Sequence, residues 1–105
     1  MDGVAYLISK TYKEGSLGQR IPAEEVQTEI FVTRGSISRR EWMDAGRNGL
    51  NPEILLKTAV VNYSGEREIL FEEVRYAVYR TFNPPDSDEI ELYLQRKAGV
   101  QNGGN

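Results

Sequence analysis

The sequence predicts a mainly β protein, a small antiparallel β-barrel or sandwich of about six strands with one short helix and a long flexible loop. Apolar and polar side chains alternate over short segments, which is typical of half-buried antiparallel strands. Turn-forming residues separate these segments at short spacing. Only residues 33–52 carry convincing helix signals. Together these patterns favour a sheet that curls on itself beside a single helix.

Two strands are predicted before the helix. Residues 4–12 alternate, are apolar on both faces at their start and become more polar towards their end. Residues 13–20 contain two glycines and predict a turn or loop. Pro22 is expected to delay sheet pairing, because proline has no amide hydrogen to donate. Residues 26–33 then give the cleanest alternation in the chain and predict a half-buried second strand.

The helix is predicted at Arg39–Arg47. Ser38 is a good N-cap, and Glu41, three residues later, completes the pattern of a capping box. Glycines and a proline within residues 46–52 end the helix. A helix of about two turns is marginal alone, so apolar residues led by Trp42 are expected to pin it as a plug over an open end of the barrel.

Four more strands are predicted after the helix. Residues 53–63 form the third strand, because a β-branched run outweighs the weak helical pattern at its start. Residues 68–71, 74–82 and 90–95 form the last three, and residues 83–88 form a loop. The residues expected to fill the core are Tyr6, Ile8, Val26, Ile30, Val32, Trp42, Val60, Ile69, Phe71, Tyr76, Val78, Ile90, Leu92 and Leu94.

Length and composition bound the domain organisation and exclude several kinds of site. The chain has 105 residues, which fits one domain over residues 1–98 followed by a disordered tail, 99–105. It has no cysteine and no histidine, and so no disulfide, no thiolate nucleophile and no usual general base or transition-metal ligand. No apolar run is long enough for a membrane helix, and the N-terminus lacks a signal-peptide pattern, which indicates synthesis in the cytoplasm.

The charged residues leave three interpretations open. Arg34, Arg39, Arg40 and Arg47 cluster around the helix, in a chain whose net charge is −3. They are ordinary solvated arginines, a protein interface or contacts to DNA phosphates. Two of them stand in the first helical turn, where the helix dipole disfavours cations, which hints at a partner surface. The acidic pairs predict no metal site and no catalytic dyad, because neighbours in a strand point to opposite faces.

The helix is followed by a candidate functional loop. Paired glycines and two asparagines predict flexibility, and loops held on rigid scaffolds often carry function. The residues of this loop are Gly46, Arg47, Asn48, Gly49, Leu50 and Asn51.

The order and spacing of several short motifs carry a resemblance over nearly the whole chain. These motifs are ISK at 8–10, TEIFV at 28–32, SISRREW at 36–42, AG at 45–46, GLNPE at 49–53, YSGE at 63–66, YAVYRTF at 76–82 and DEIELY at 88–93. In this order they resemble the head-tail joining proteins, also called head closure or head completion proteins, of Gram-positive tailed phages and prophages. Glu72-Glu73 departs from that pattern, because a glycine is expected in the turn.

The resemblance implies a structural virion protein with no catalysis, no cofactor and no metal. Copies would form a ring in the neck, below the portal or connector (adaptor) protein, close the DNA-filled head and receive the tail through a tail-completion protein. DNA would pass through the ring without sequence-specific recognition, and a subunit would stay monomeric until it assembles. The protein would be made in the host cytoplasm and end in the virion, with no membrane partner.

The charges extend this expectation to an interface between neighbouring subunits. A basic edge of Arg34, Arg39 and Arg40 would face an acidic edge, since complementary potentials guide docking. The acidic edge would consist of Glu72 and Glu73 or of Asp86 and Asp88. The loop at residues 46–51 would project into the channel or towards the neighbouring ring. Two alternatives remain, a tail-side joining or tail-tube-related protein of the same virion and a small nucleic-acid-binding β-barrel.

Overall fold

Six antiparallel strands close into a barrel, and the predicted β class is confirmed. The computed structural model describes residues 2–97, so the predicted tail at 99–105 lies outside the described residues. Around the barrel the strands follow the order β1-β2-β3-β6-β5-β4. The elements are β1 (Asp2–Glu14), β2 (Arg20–Gly35), α1 (Arg39–Arg47), β3 (Ile54–Ala59), a 3₁₀ turn (Val60–Asn62), β4 (Glu68–Phe71), β5 (Val74–Phe82) and β6 (Glu89–Arg96).

The barrel interior is one apolar core to which every strand contributes. Strand alternation directs every second side chain inward, and burial of these side chains is the main favourable term in folding. Val60 and Val78 pack against this core from partly buried positions. The buried members of the core are Ala5, Leu7, Ile30, Val32, Ile54, Leu56, Ile69, Phe71, Tyr76, Ile90, Leu92 and Leu94.

The inward face of β1 is the opposite of the predicted one. Ala5 and Leu7 enter the core, whereas Tyr6 is only half-buried and Ile8 is buried outside the barrel cluster. The start of β1 is apolar on both faces, so alternation alone could not choose between them. Pairing with β2 and β4 on either side closes the barrel with the smaller face of β1 inside.

Two other expected core residues are exposed. Val26 points the same way as the buried Ile30 and Val32, but it lies beyond the barrel and is 41% exposed. Trp42 is 54% exposed. The core prediction was wrong at both positions. Periodicity indicates which way a side chain faces, but it does not show whether another part of the protein covers that side chain.

The third strand ends earlier than predicted. After Ala59 the chain enters the 3₁₀ turn, where Val60 N donates to Asp88 O at 2.7 Å. The Asn62 side chain donates to Thr58 Oγ1 at 3.0 Å. These bonds satisfy polar groups as the chain leaves the sheet, so the β-branched run past residue 59 does not continue the strand.

The hairpin of β1 and β2 extends well beyond the barrel. Within residues 2–97, β1 pairs with β4 only at Ala5–Ile8 and β2 pairs with β3 only at Thr33–Gly35. β1 and β2 pair with each other up to Glu14 and Arg20. We call residues 9–26 of this hairpin the arm. The molecule is accordingly elongated, with extents of 48 × 31 × 23 Å.

The structure of the arm differs from two predictions made from its sequence. The predicted loop of residues 13–20 narrows to Gly15–Gln19. Pro22 does not delay pairing, because β2 begins at Arg20 and Pro22 stands opposite Tyr12 in the register. The register shifts beside this pair, between Thr11 and Tyr12, and proline is tolerated at such irregularities.

Candidate interaction surfaces

Helix α1 lies against the outer wall of the barrel and is held there by Glu41. The Glu41 carboxylate accepts hydrogen bonds from Tyr79 Oη and Arg80 Nη2, both at 2.8 Å. Only 13% of its side chain is exposed. Burial raises the pKa of Glu41, but the hydrogen bonds from Arg80 and Tyr79 outweigh burial and hold the pKa below its ordinary value. Glu41 is therefore a charged anchor between the helix and β5.

The helix boundaries and the N-cap are confirmed, but half of the capping box is not formed. Ser38 Oγ accepts from Glu41 N at 3.1 Å, as an N-cap does. The Glu41 side chain does not return to the N-cap, because its carboxylate is engaged by β5. The helix also does not plug the barrel end. Ala45 is its buried apolar residue, while Trp42 faces outward.

A β-bulge places two neighbouring residues of β5 against Glu41. In the register of β5 and β6, Val78 stands opposite Leu94 and Arg80 opposite Tyr93, so Tyr79 is an extra residue. Bulges redirect side chains in this way. Burial and the bond to Glu41 raise the pKa of Tyr79. The Arg80 guanidinium also lies 4.2 Å from the centre of the Tyr93 ring.

The outward side of α1 exposes apolar and basic residues together. Trp42 and Met43 are 54% and 55% exposed. Asp44 pairs with Arg40 at 3.9 Å and also with Arg47, whereas Arg39 has no ion pair within residues 2–97. Tryptophan, methionine and arginine are enriched in protein interfaces. We call this surface the basic helix face, formed by Arg39, Arg40, Trp42, Met43 and Arg47.

The predicted loop at residues 46–51 is tied to the helix end. Gly46 and Arg47 belong to α1, and Gly49 adopts φ 78°. Leu50 N donates to Ala45 O at 2.9 Å and Gly49 N to Gly46 O at 3.1 Å, the two bonds of a Schellman motif. Asn51 N donates to Gln95 Oε1 at 2.9 Å. The glycine thus serves a helix cap, and the segment is anchored at both ends.

Glu72 and Glu73 form a strained turn at one end of the barrel. They join β4 to β5 between the paired residues Phe71 and Val74. Their φ values are 52° and 68°, both in the left-handed region that favours glycine. We call this pair the acidic turn, and both of its residues are exposed. The hairpin is thus tight, although it lacks the glycine that such a turn normally uses.

The structure divides the predicted basic and acidic edges. Arg34 lies at the end of β2, on the same barrel end as the acidic turn, because β2 and β4 both run antiparallel to β1. Asp86 and Asp88 follow the other end of β5, roughly 25–30 Å away by strand length. Arg39 and Arg40 remain together on α1. The seven predicted interface residues therefore form three separate groups.

Sequence reasoning missed the anchor and the arm. Glu41 was assigned to the capping box, and nothing in the sequence of β5 marks the bulge at Tyr79. The arm had a weak signal, because β1 becomes polar after Ile8 although its alternation continues. Such a strand is too polar to lie inside a small barrel, and that observation could have indicated a projecting ribbon.

The described structure bears on two kinds of site, and two comparisons bear on the family of the chain. Within residues 2–97, no carboxylates come together in a group of three or more that could hold a metal ion. The one helix in that range is too short and too polar to cross a membrane. No protein-family model and no curated protein matches the chain.

Proposed function

We propose that this protein is a structural subunit of the virion neck. Copies form a ring below the portal or connector protein, close the DNA-filled head and provide the attachment site for the tail. The observation that carries the proposal is the exposed basic helix face together with an acidic turn on another part of the barrel. A subunit with two complementary surfaces makes head-to-tail contacts, and such contacts form a ring where the rotation from one subunit to the next closes.

The strain of the acidic turn supports a role for its carboxylates. An Asn-Gly pair would form the same turn without penalty, whereas each non-glycine residue in the left-handed region costs about 1–2 kcal/mol. Strain of this kind persists at sites where function requires the side chains. Two glutamates at such positions, exposed and without an ion pair inside residues 2–97, favour a partner that supplies cations.

In the proposed ring, the acidic turn of one subunit lies on the basic helix face of the next. Trp42 and Met43 supply apolar contact area, and the arginines around them supply charge complementarity. Arg34 lies at the same barrel end as the acidic turn and is not part of the basic helix face. Asp86 and Asp88, at the opposite barrel end, are the alternative acidic contact for these arginines.

A charge-reversal experiment tests the proposal. Purified protein is added to DNA-filled heads that lack their closure protein, and DNA retention and tail attachment are scored. Arg39→Glu with Arg40→Glu should abolish both while the monomer keeps its circular dichroism spectrum and melting temperature. Adding Glu72→Arg and Glu73→Arg to the same chain should restore assembly, because both sides of the contact then change sign.

The control carries the same change of charge away from α1. Lys57→Glu with Arg67→Glu should leave head closure intact, which separates a local contact from net charge. Normal closure by the Arg39/Arg40 variant would refute the proposed interface. Failure of the unmodified protein to close any head would refute the neck function, and altered tails with leaking heads would place the protein on the tail side.

The basic helix face favours one rival, a small nucleic-acid-binding barrel. Arg39, Arg40 and Arg47 could contact phosphates without reading bases, and such binding weakens steeply as salt rises. A titration of unmodified protein with duplex DNA at several salt concentrations distinguishes the two. Tight, salt-sensitive binding that Arg39→Glu and Arg40→Glu remove would favour the rival.

A further inference from the structure

We propose that the free edge of β2, at the base of the arm, is a docking site for an extended, basic segment of a partner protein. The segment would add a strand to the sheet, beside β2 and in line with β3. The proposal goes beyond the ring described above, because it uses neither the basic helix face nor the acidic turn. Its basis is the backbone, the exposure and the charge of β2.

The edge is open because β3 ends before β2 does. Within residues 2–97, β3 pairs with β2 only at Thr33–Gly35 and ends at Ala59. The chain that leaves the sheet there borders a cleft of about 450 Å³, whose lining includes Phe31 of β2 and Asn62 of the 3₁₀ turn. A strand that continued the line of β3 would enter this cleft and run along β2 towards the tip of the arm.

Two side-chain hydrogen bonds show which backbone groups of β2 face the open edge. Thr58 Oγ1 of β3 donates to Phe31 O at 2.8 Å, whereas Thr11 Oγ1 of β1 donates to Glu24 O at 3.3 Å. Alternate residues of an antiparallel strand direct both of their backbone groups to the same side. The odd-numbered residues within 25–29 therefore point their N–H and C=O groups to the open edge. No strand of the described chain pairs with them there, and such an edge is a template for another strand.

This part of β2 is also uncovered on both faces of the sheet. All residues from 24 to 29 are exposed, including Val26 on the face that enters the barrel core further along the strand. On the other face, Phe31 is 78% exposed. An added strand would pair the open backbone groups and bury apolar surface, which is favourable. Because a ribbon of two strands is marginally stable alone, the added strand would also stabilise the arm.

β2 is acidic along this edge. Residues 20–32 include three glutamates and one cation, Arg20. Arg20 lies at the tip of the arm, away from the cleft. The charged residues that line the cleft are one cation, Lys57, and two carboxylates, Asp2 and Glu89. The edge and the cleft therefore each carry a net negative charge.

Two of the three glutamates are available to a partner. Glu24 and Glu29 have no ion pair within residues 2–97. The β1 residues opposite them, Thr11 and Tyr6, are uncharged. Glu25, in contrast, accepts two hydrogen bonds from an arginine of β5. Because like charges on neighbouring strands are unfavourable, these carboxylates exclude an acidic strand and favour a basic one.

The two faces of β2 specify how the partner segment alternates. Glu29 and Phe31 share one face of the strand, and Val26 lies on the other. Residues opposite each other on neighbouring strands share a face. A lysine or arginine beside Glu29 and an apolar β-branched residue beside Val26 therefore suit this edge. The chemistry of the occupant is a strand in which basic and apolar residues alternate.

A synthetic peptide tests the site on the full chain. The probe has about eight residues, a typical strand length, alternates lysine with valine or threonine, is blocked at both ends and carries a fluorophore. Fluorescence anisotropy should show saturable binding, and the amides of Gln27 and Glu29 should become protected from hydrogen exchange. The same peptide with N-methylated backbone amides keeps its charge but cannot donate to β2. It should bind about ten-fold more weakly.

Variants of the protein separate strand pairing from charge attraction. Gln27→Pro removes a donor from the open edge, leaves the bonds to β1 and the net charge unchanged, and should weaken binding about ten-fold. Glu24→Gln with Glu29→Gln should weaken it about three- to ten-fold. The matched control, Glu72→Gln with Glu73→Gln in the acidic turn, removes the same charge and should bind as the unmodified protein does. If Gln27→Pro loses its circular dichroism spectrum, the glutamine variants and the N-methylated peptide decide.

Four outcomes would overturn the proposal. Binding that only the control variant loses would place the peptide on the acidic turn. Equal affinity for the N-methylated peptide would show charge attraction without an added strand, and equal affinity for a peptide with glutamate in place of lysine would refute the charge selection. Protection of the same amides that appears without peptide and grows with protein concentration would identify a second copy as the occupant. Head closure is scored separately, so failure of the neck function would leave these results unchanged.

Discussion

The β4–β5 and β1–β2 hairpins, two of the hairpins of the described chain, differ in the residues that adopt positive φ in their turns. The β4–β5 hairpin is short and turns through Glu72 and Glu73, both with positive φ. The β1–β2 hairpin is long, and the residue with positive φ at its tip is Gly18, at 86°. The β4–β5 turn therefore holds two residues in a conformation that is unfavourable for them, whereas the β1–β2 turn has a glycine, which adopts that conformation without penalty.

The difference follows from what surrounds each hairpin. On the sides that face away from this hairpin, β4 pairs with β1 and β5 pairs with β6. Both strands that flank the acidic turn are therefore held in place by the closed barrel. Beyond the barrel the arm has no such neighbours among the described residues. Strained conformations persist only where the surrounding structure holds them, and a turn that stands alone must be locally favourable.

The largest expected effect contrasts the buried and exposed strands of the two hairpins. Ile69→Ala in β4 removes a fully buried side chain and should lower the free energy of unfolding by about 2–5 kcal/mol. Val26→Ala in the arm should change it by less than about 0.5 kcal/mol. Urea denaturation measures both. Equal losses would show that the arm shares the stability of the barrel.

An intermediate effect is expected from relieving the strained turn. Glu73→Gly should raise the free energy of unfolding by about 1 kcal/mol, because glycine adopts positive φ without steric penalty. Glu29→Gly, with the same loss of charge on an extended strand, should lower it by about 0.5–1 kcal/mol. Thermal melts of the two variants should therefore shift in opposite directions. A lower melting temperature for Glu73→Gly would mean that the glutamate makes a stabilising contact in the folded protein.

The smallest effect on global stability is expected where Arg75 of β5 donates to both carboxylate oxygens of Glu25 in β2, at 2.8 and 3.0 Å. This contact joins the arm to the β4–β5 hairpin. Arg75→Gln should leave the melting temperature nearly unchanged but speed tryptic cleavage at Lys13 and Arg20 near the tip. The hydrogen bond from Arg75 lowers the pKa of Glu25 below 4.5. The attachment is therefore complete above the ordinary pKa and is lost as pH falls through the lowered value.

The protection factors of the arm amides, which correct for the slower intrinsic exchange at low pH, should thus fall on acidification through that range in the unmodified protein and not in Arg75→Gln. Arg75→Lys keeps the positive charge but cannot form the bidentate hydrogen bond. Exchange of the arm amides in this variant should therefore be intermediate between the other two proteins. Identical exchange in all three proteins would show that Arg75 does not hold the arm.

Local signals predicted the local structure well. The helix at Arg39–Arg47 was predictable because capping residues act within a few positions. The hairpin at Glu72 and Glu73 was predicted from the strand patterns on either side of it, since the pair lacks the glycine that marks such a turn. The inward face of β1 was not readable, since both of its faces are apolar at the start. The arm and the Glu41 anchor depend on residues far apart in sequence, such as Glu25 with Arg75, and no single-sequence pattern reports such pairs.

Because of the bulge at Tyr79, the number of residues in β5 decides which of its side chains face Glu41 and which face the core. Before the bulge, even-numbered residues such as Tyr76 face the core, and after it Thr81 stands opposite the buried Leu92. A chain that lost one residue here would regain simple alternation and turn Arg80 away from Glu41. Substitutions along this strand act one at a time, but a single deletion would detach the helix outright. During evolution, β5 should therefore tolerate substitutions more readily than insertions or deletions.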